Sequence, residues 1–239
     1  MGPMTVLTWS GCRNVRDLGG LPTTDGARTR DRALVRADSL TRLDEAGQAA
    51  LAAYGVSRIV DLRADHETAD PPHPYAGQEV YRSVPWVDVD QEPPREPSTE
   101  RGLAGIYRDS LDRNVRPVAA AVRSFVEAPP GPVVVHCAGG KDRTGMLVAV
   151  LLETVGVPRA VVVEDYAVSA EHLGIAEILA TLGAAQRARV ETYAWSHPET
   201  LTAALEHLDA TYGGARSYLR DACGLAGPEL AAVRARLVD

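Results

Sequence analysis

Cys137 and Arg143 stand six residues apart in the string HCAGGKDRTG, residues 136–145. That is the spacing of a thiol nucleophile and a cation closing on one small anion. Residues 132–135 form a short apolar, β-branched run of the kind buried in mid-sheet, and 144–154 read as an apolar helix stopped by Gly156 and Pro158. The string therefore occupies a strand-to-helix turn, which aims successive backbone N–H groups at one point while the helix N-terminus adds a partial positive charge. The field that gathers a phosphate there also favours the thiolate of Cys137. Arg143 can lay its planar guanidinium over the loop and take two phosphate oxygens at once, which the point charge of a lysine cannot do. Gly139 and Gly140 allow close approach of the backbone. The loop Ala138, Gly139, Gly140, Lys141, Asp142 and Arg143 is thus the expected phosphate cradle, with His136 supporting it from the strand. Thr144 is expected to offer its hydroxyl to the Cys137 sulfur and ease its departure in a second step. The chemistry to which such a set of groups is suited is phosphate monoester hydrolysis through a cysteinyl phosphate.

Rival readings of the loop fit less well. A nucleotide-binding P-loop needs Ser or Thr where Asp142 stands, to bind magnesium, and a glycine where Val135 stands. A rhodanese-like sulfurtransferase also uses a loop cysteine, but Thr144 and the Gly-Lys-Asp-Arg run do not suit it. A phosphate-binding pseudoenzyme is disfavoured because nucleophile and clamp are both intact. Neither the phosphatase nor the sulfurtransferase chemistry calls on a metal, and no cofactor is expected.

HCAGGKDRTG, together with Asn14-Val15-Arg16-Asp17-Leu18-Gly19-Gly20, resembles the Cys-x5-Arg-Thr/Ser loop and N-terminal motif of the protein tyrosine phosphatase superfamily. Within it the similarity is to the bacterial tyrosine and dual-specificity branch typified by mycobacterial protein tyrosine phosphatase B. It runs from about residue 14 through Asp165-Tyr166 to the tail around 208–218. The resemblance implies a cysteine phosphatase fold and action on phosphotyrosine, extending to phosphoserine, phosphothreonine or phosphoinositides. It also implies an aspartic acid as proton donor to the leaving group. Asp88 and Asp90, just after an expected strand at 79–84, compete for that role with Asp142. Lys141, the only lysine among 25 basic residues, is implied to widen the substrate range toward acidic phosphates. Asn14, Arg16 and Asp17 are implied to pack beside the loop, with Arg16 or Asp17 holding it; a tight turn closing onto the sheet is the plainer alternative. Asp165-Tyr166 is expected to support the core or the loop. Gly139 departs from the family, which usually carries alanine there.

The elements around the loop read as α/β, with a central, mostly parallel sheet flanked by helices and a helical C-terminal part. Helices are expected at 44–54, 102–113, 115–128, 144–154, 159–169, 171–182, 199–208 and 228–237. Strands are expected at 57–62, 79–84 and 132–135. The 239 residues, 45% hydrophobic and 24% charged, are expected to form one phosphatase domain, 1–239. The net charge of -7 opposes broad nucleic-acid binding, so the anion site must be local. Cys12, Cys137 and Cys223 are too few for a disulfide framework or a zinc site, and Cys12 and Cys223 read as packing residues. No span of 18 apolar residues and no standard export signal is evident, which points to a cytoplasmic protein or one secreted without a standard signal peptide. The expected partner is a phosphorylated protein or phosphoinositide substrate, and no motif fixes an oligomeric state.

Overall fold

The structure is a computed structural model that describes residues 4–69, 72–87 and 102–239. A six-stranded sheet runs in the order β1 (Thr5–Val6), β2 (Arg16–Asp17), β3 (Leu34–Ala37), β6 (Val133–His136), β4 (Arg58–Asp61), β5 (Tyr81–Ser83). The β3–β6, β6–β4 and β4–β5 pairs are parallel, and β1 and β2 add an antiparallel edge. All four residues of β3, β4 and β6 are buried, as the central strands of a sheet covered on both faces must be. Alternate side chains enter two cores. Leu34, Val60, Val133 and Val135 face the larger one, while Val35, Ala37, Ile59 and Val134 join Trp9, Leu43 and Leu51 on the other.

The helices are α1 (Glu45–Ala53), α2 (Asp65–Thr68), α3 (Gly102–Arg113), α4 (Val115–Val126), α5 (Asp142–Thr154), α6 (Arg159–Ala167), α7 (Ser169–His172), α8 (Ile175–Ala180), α9 (Ala184–Ala194), α10 (Pro198–Tyr212), α11 (Ala215–Ser217) and α12 (Gly227–Leu237). Asp44 caps α1 by accepting from the Gly47 N–H at 2.9 Å, and Gly55 follows the helix in the left-handed region with φ 76°. The fold class expected from sequence holds: a mostly parallel sheet flanked by helices, with a helical C-terminal part.

Several local readings need correction. Residues 171–182 are not one helix, because Gly174, with φ 67°, breaks them between α7 and α8. α5 begins at Asp142, two residues before the expected start. β1, β2, β3, α2, α9 and α11 have no counterpart among the expected elements. β1 and β2 are two residues long and α9 buries no residue, so neither leaves a periodic apolar pattern. No helix among the described residues is long and apolar enough to cross a membrane.

Candidate active site

β6 lies between β3 and β4 in the sheet and ends at His136; residues 137–141 then turn into α5. The turn therefore opens at the carboxyl ends of the central parallel strands, where α/β sheets present their ligand sites. Gly140 is the tightest point. It has φ 63°, and a β-carbon there would lie 2.2 Å from the Ala37 carbonyl oxygen at the end of β3. A β-carbon at Gly139 would meet only Leu173 Cδ1, at 3.7 Å, so the alanine usual in the resembling family would fit.

Cys137 is 2% exposed at the floor of the turn. Arg143, in the first turn of α5, donates from Nη1 and Nη2 to both carboxylate oxygens of Glu67 on α2, the Nη2–Oε1 distance being 2.9 Å. Glu67 is fixed in turn by the Ala64 N–H at 2.9 Å. The Arg143 contact, helped by that N–H, holds the Glu67 carboxyl below its usual range despite partial burial. Burial alone would lower the Arg143 pKa, but Glu67 and the adjacent Cys137 outweigh it and raise it. Arg143 is thus a permanent cation held beside Cys137 by one edge of its fork, which leaves the Nε–H free of any hydrogen bond among the described residues.

The remaining predicted residues divide. Asn14 reaches the loop, its Nδ2 donating to the Gly139 carbonyl at 2.9 Å. Arg16 donates to Asn14 Oδ1, and at 2.9 Å from Nε to Asp165. Asp165-Tyr166 gives loop support: Asp165 pairs with Arg16 and Arg36, while the Tyr166 and Tyr107 hydroxyls lie 2.9 Å apart and Tyr107 donates to Asp142. Asp17 holds a turn rather than the loop, accepting from the Gly19 N–H, the Arg32 N–H and the Tyr54 hydroxyl. Thr144 does not make the expected contact with the Cys137 sulfur, since its Oγ1 is buried and without a hydrogen bond. Lys141 is also not where a second acidic group of a substrate would find it. It is 5% exposed, and its ammonium donates to Tyr193 O at 3.0 Å, Trp195 O at 3.1 Å and Asp142 Oδ1 at 2.8 Å. Three protons meet three acceptors, so Lys141 ties the loop to the end of α9. Asp88 and Asp90 lie outside the described residues.

Beneath the loop, His136 Nδ1 is 3.2 Å from the Cys137 carbonyl and its ring stacks on His73 at 5.2 Å. Burial lowers the pKa of His136 and pushes that of His73 down to about 3, so both rings are neutral at pH 7. Asp61, His73 and His136 bring one possible ligand atom each within 4.8 Å of one another, but they do not fit a metal. Both Asp61 oxygens accept from Arg63, and Oδ2 from the Tyr81 hydroxyl as well. His73 Nδ1 accepts from the Tyr75 N–H, so the neutral ring carries its proton on Nε2, the atom a metal would need.

The sequence reading missed Glu67, Asp61, Arg63, Tyr107 and Arg36. Asp61 ends β4 and Arg63 follows it, next to the strand that leads into the loop, and Arg36 is a lone charge in the apolar run Ala33–Ala37, the signals that could have found them. A pocket of about 520 Å³ opens at Arg143 and Asp142, walled by Trp86, Leu103, Ile106, Tyr107 and Met146.

A model of the tyrosine phosphatase family matches residues 7–239. The triple specificity protein phosphatase PtpB of Mycobacterium tuberculosis is 30% identical, over 92% of this chain and 94% of that protein. A tyrosine-protein phosphatase of Nostoc commune is also 30% identical, over 86% of this chain and 74% of that protein.

Proposed function

The chain belongs to the tyrosine phosphatase family, and from that premise we propose that it hydrolyses phosphotyrosine first, with Cys137 as nucleophile, Arg143 as clamp and Asp142 as the proton carrier. The observation that carries this assignment is Arg143, locked by Glu67 at the mouth of an apolar pocket and close to the buried Cys137. The thiolate sulfur attacks phosphorus, the bond to the leaving phenol oxygen breaks, and that oxygen takes the proton carried by Asp142, leaving its carboxylate. Water then attacks phosphorus, gives its proton back to the Asp142 carboxylate, and the Cys137 thiolate leaves with release of inorganic phosphate. Arg143 and the loop N–H groups serve both steps by stabilising charge on the equatorial oxygens. Asp142 lines the pocket beside Arg143, and its side chain is 42% exposed. Oδ1 is taken by Lys141 and Tyr107, while Oδ2 has no hydrogen bond among the described residues. The apolar walls favour an aryl leaving group. Phosphoserine, phosphothreonine and phosphoinositides are the wider substrates, the first two in keeping with a relative named for triple specificity.

The test is a panel of phosphotyrosine, phosphoserine and phosphothreonine peptides with phosphoinositides, run on the wild type, Cys137→Ser and Arg143→Lys. Phosphotyrosine should give the highest kcat/KM. Cys137→Ser should bind phosphate without turnover, and Arg143→Lys should lose orders of magnitude in kcat. Activity of Cys137→Ser above about 1% of wild type would exclude the cysteinyl intermediate.

A further inference from the structure

Arg16, Arg36 and Asp165 are each 0% exposed. Asp165 Oδ1 takes Arg16 Nε at 2.9 Å and Oδ2 takes Arg36 Nη1. Two buried guanidiniums thus share one carboxylate, whose pKa burial would raise but which the two arginines hold below its usual range. The remaining Arg16 bonds go to neutral acceptors: Asn14 Oδ1, Asp165 O at 2.9 Å and Ser169 Oγ at 3.1 Å. Arg36 Nη2 donates to the Gly140 carbonyl at 2.6 Å, while its Nε is buried with no partner. The cluster therefore carries one positive charge in excess, and it touches the phosphate loop from behind.

The contacts also have a direction. Ala138 O accepts from the Ser39 N–H at 3.0 Å, Gly139 O from Asn14 Nδ2 at 2.9 Å and Gly140 O from Arg36 Nη2 at 2.6 Å. In a planar trans peptide the C=O and the following N–H point in opposite directions. Three consecutive carbonyls drawn to the rear therefore send the N–H groups of Gly139, Gly140 and Lys141 forward, toward the side where the phosphate must sit. A buried charge left unbalanced is unfavourable, and a bound anion on those N–H groups relieves it.

We propose that Arg36, with Asn14, is a positioning residue of the phosphate site: Arg36 supplies the unbalanced charge and fixes the Gly140–Lys141 peptide, and Asn14 fixes the Gly139–Gly140 peptide. This rests on the loop's being the oxyanion site of the phosphatase reading, whatever the leaving group. It assigns to Asp165 the task of neutralising one arginine and no more.

The experiment measures calorimetric affinity for inorganic phosphate in Cys137→Ser, where no turnover is needed, so an absence of catalysis cannot be mistaken for a failure of this inference. On that background Arg36→Met should weaken phosphate binding on the order of 10- to 100-fold, the range of a charge-assisted contact. Arg36→Lys, which returns the charge without the fork, should recover part of the loss. Asn14→Leu, which removes a donor and no charge, should weaken binding by a smaller factor. Circular dichroism and thermal melts establish that each variant is folded. If Arg36→Met does not fold, Arg36→Lys and Asn14→Leu decide alone: a loss of at least about threefold in both upholds the assignment, and phosphate binding within about twofold of the parent in either overturns it. Folded Arg36→Met binding as tightly as its parent, or Arg36→Lys no better than Arg36→Met, would reduce Arg36 to a structural residue.

Discussion

The rear and the front of the phosphate loop are built on different physics. Behind it, Arg16, Arg36 and Asp165 are withdrawn from water altogether, and a backbone carbonyl of β3 presses on Gly140. In front, Arg143 and Glu67 meet with side chains 21% and 26% exposed, and Asp142 is 42% exposed. Buried charges interact through a poorly screening medium and are held in one arrangement by hydrogen bonds on several sides. Exposed pairs are screened and can rearrange when a substrate arrives. The rear thus holds the loop in one arrangement, while the front can adapt to what is bound. This division predicts steeply different tolerance to substitution across a few residues of chain.

Among residues that support the loop without themselves contacting the phosphate, the largest effect is expected at the rear. Gly140→Ala places a β-carbon against the Ala37 carbonyl, with a φ of 63° that L-residues avoid. We expect kcat for an aryl phosphate to fall at least about 100-fold, because the N–H groups must shift with the backbone. A variant with kcat near wild type would mean that the rear yields freely and would erase the contrast.

At the front, Glu67→Gln keeps the shape of the brace but removes its charge. The expected loss in kcat/KM is about tenfold, less than at Gly140, because the amide oxygen can still accept one bond from Arg143. The pH dependence sharpens the test. Glu67 has its folded pKa held below the usual 4.5, so its contribution is present above that value and is lost as pH falls through the lower folded pKa. An acid-side fall in activity below about pH 4.5 that persists unchanged in Glu67→Gln would assign that fall to another group.

The smallest effect is expected one residue before the tightest turn. Gly139→Ala adds a β-carbon 3.7 Å from Leu173 Cδ1, an ordinary contact. Activity and melting temperature should stay within about twofold and a few degrees of wild type. A loss comparable to that of Gly140→Ala would show that the whole loop, not only its rear anchor, is under steric constraint.

The legibility of the molecule followed the same division. Cys137, Gly140 and Arg143 lie within seven residues, and a turn between an apolar strand and an apolar helix is a local object, readable from its own sequence. The helices with capping residues or apolar stripes, 45–53 and 142–154 among them, were readable for that reason. Glu67, 76 residues before Arg143, and Arg36, 104 before Gly140, enter the site only because β3 and β4 both flank β6. β3 itself escaped notice because Arg36 interrupts its apolar run, and a charge inside a central strand makes sense only once its buried partner is known.

Lys141 draws the boundary most sharply. Its solitary place among 24 arginines marks it from composition alone, and the family resemblance implied a substrate contact for its ammonium. The fold instead gives it the Tyr193 and Trp195 carbonyls and Asp142. The sequence by itself determined that Cys137 and Arg143 share one strand-to-helix turn, because covalent spacing and local backbone preference suffice to place groups a few residues apart. Only the tertiary structure decided which charges brace the clamp and which back the loop, because those partners meet through strand order and burial, and neither is written in any one segment of the chain.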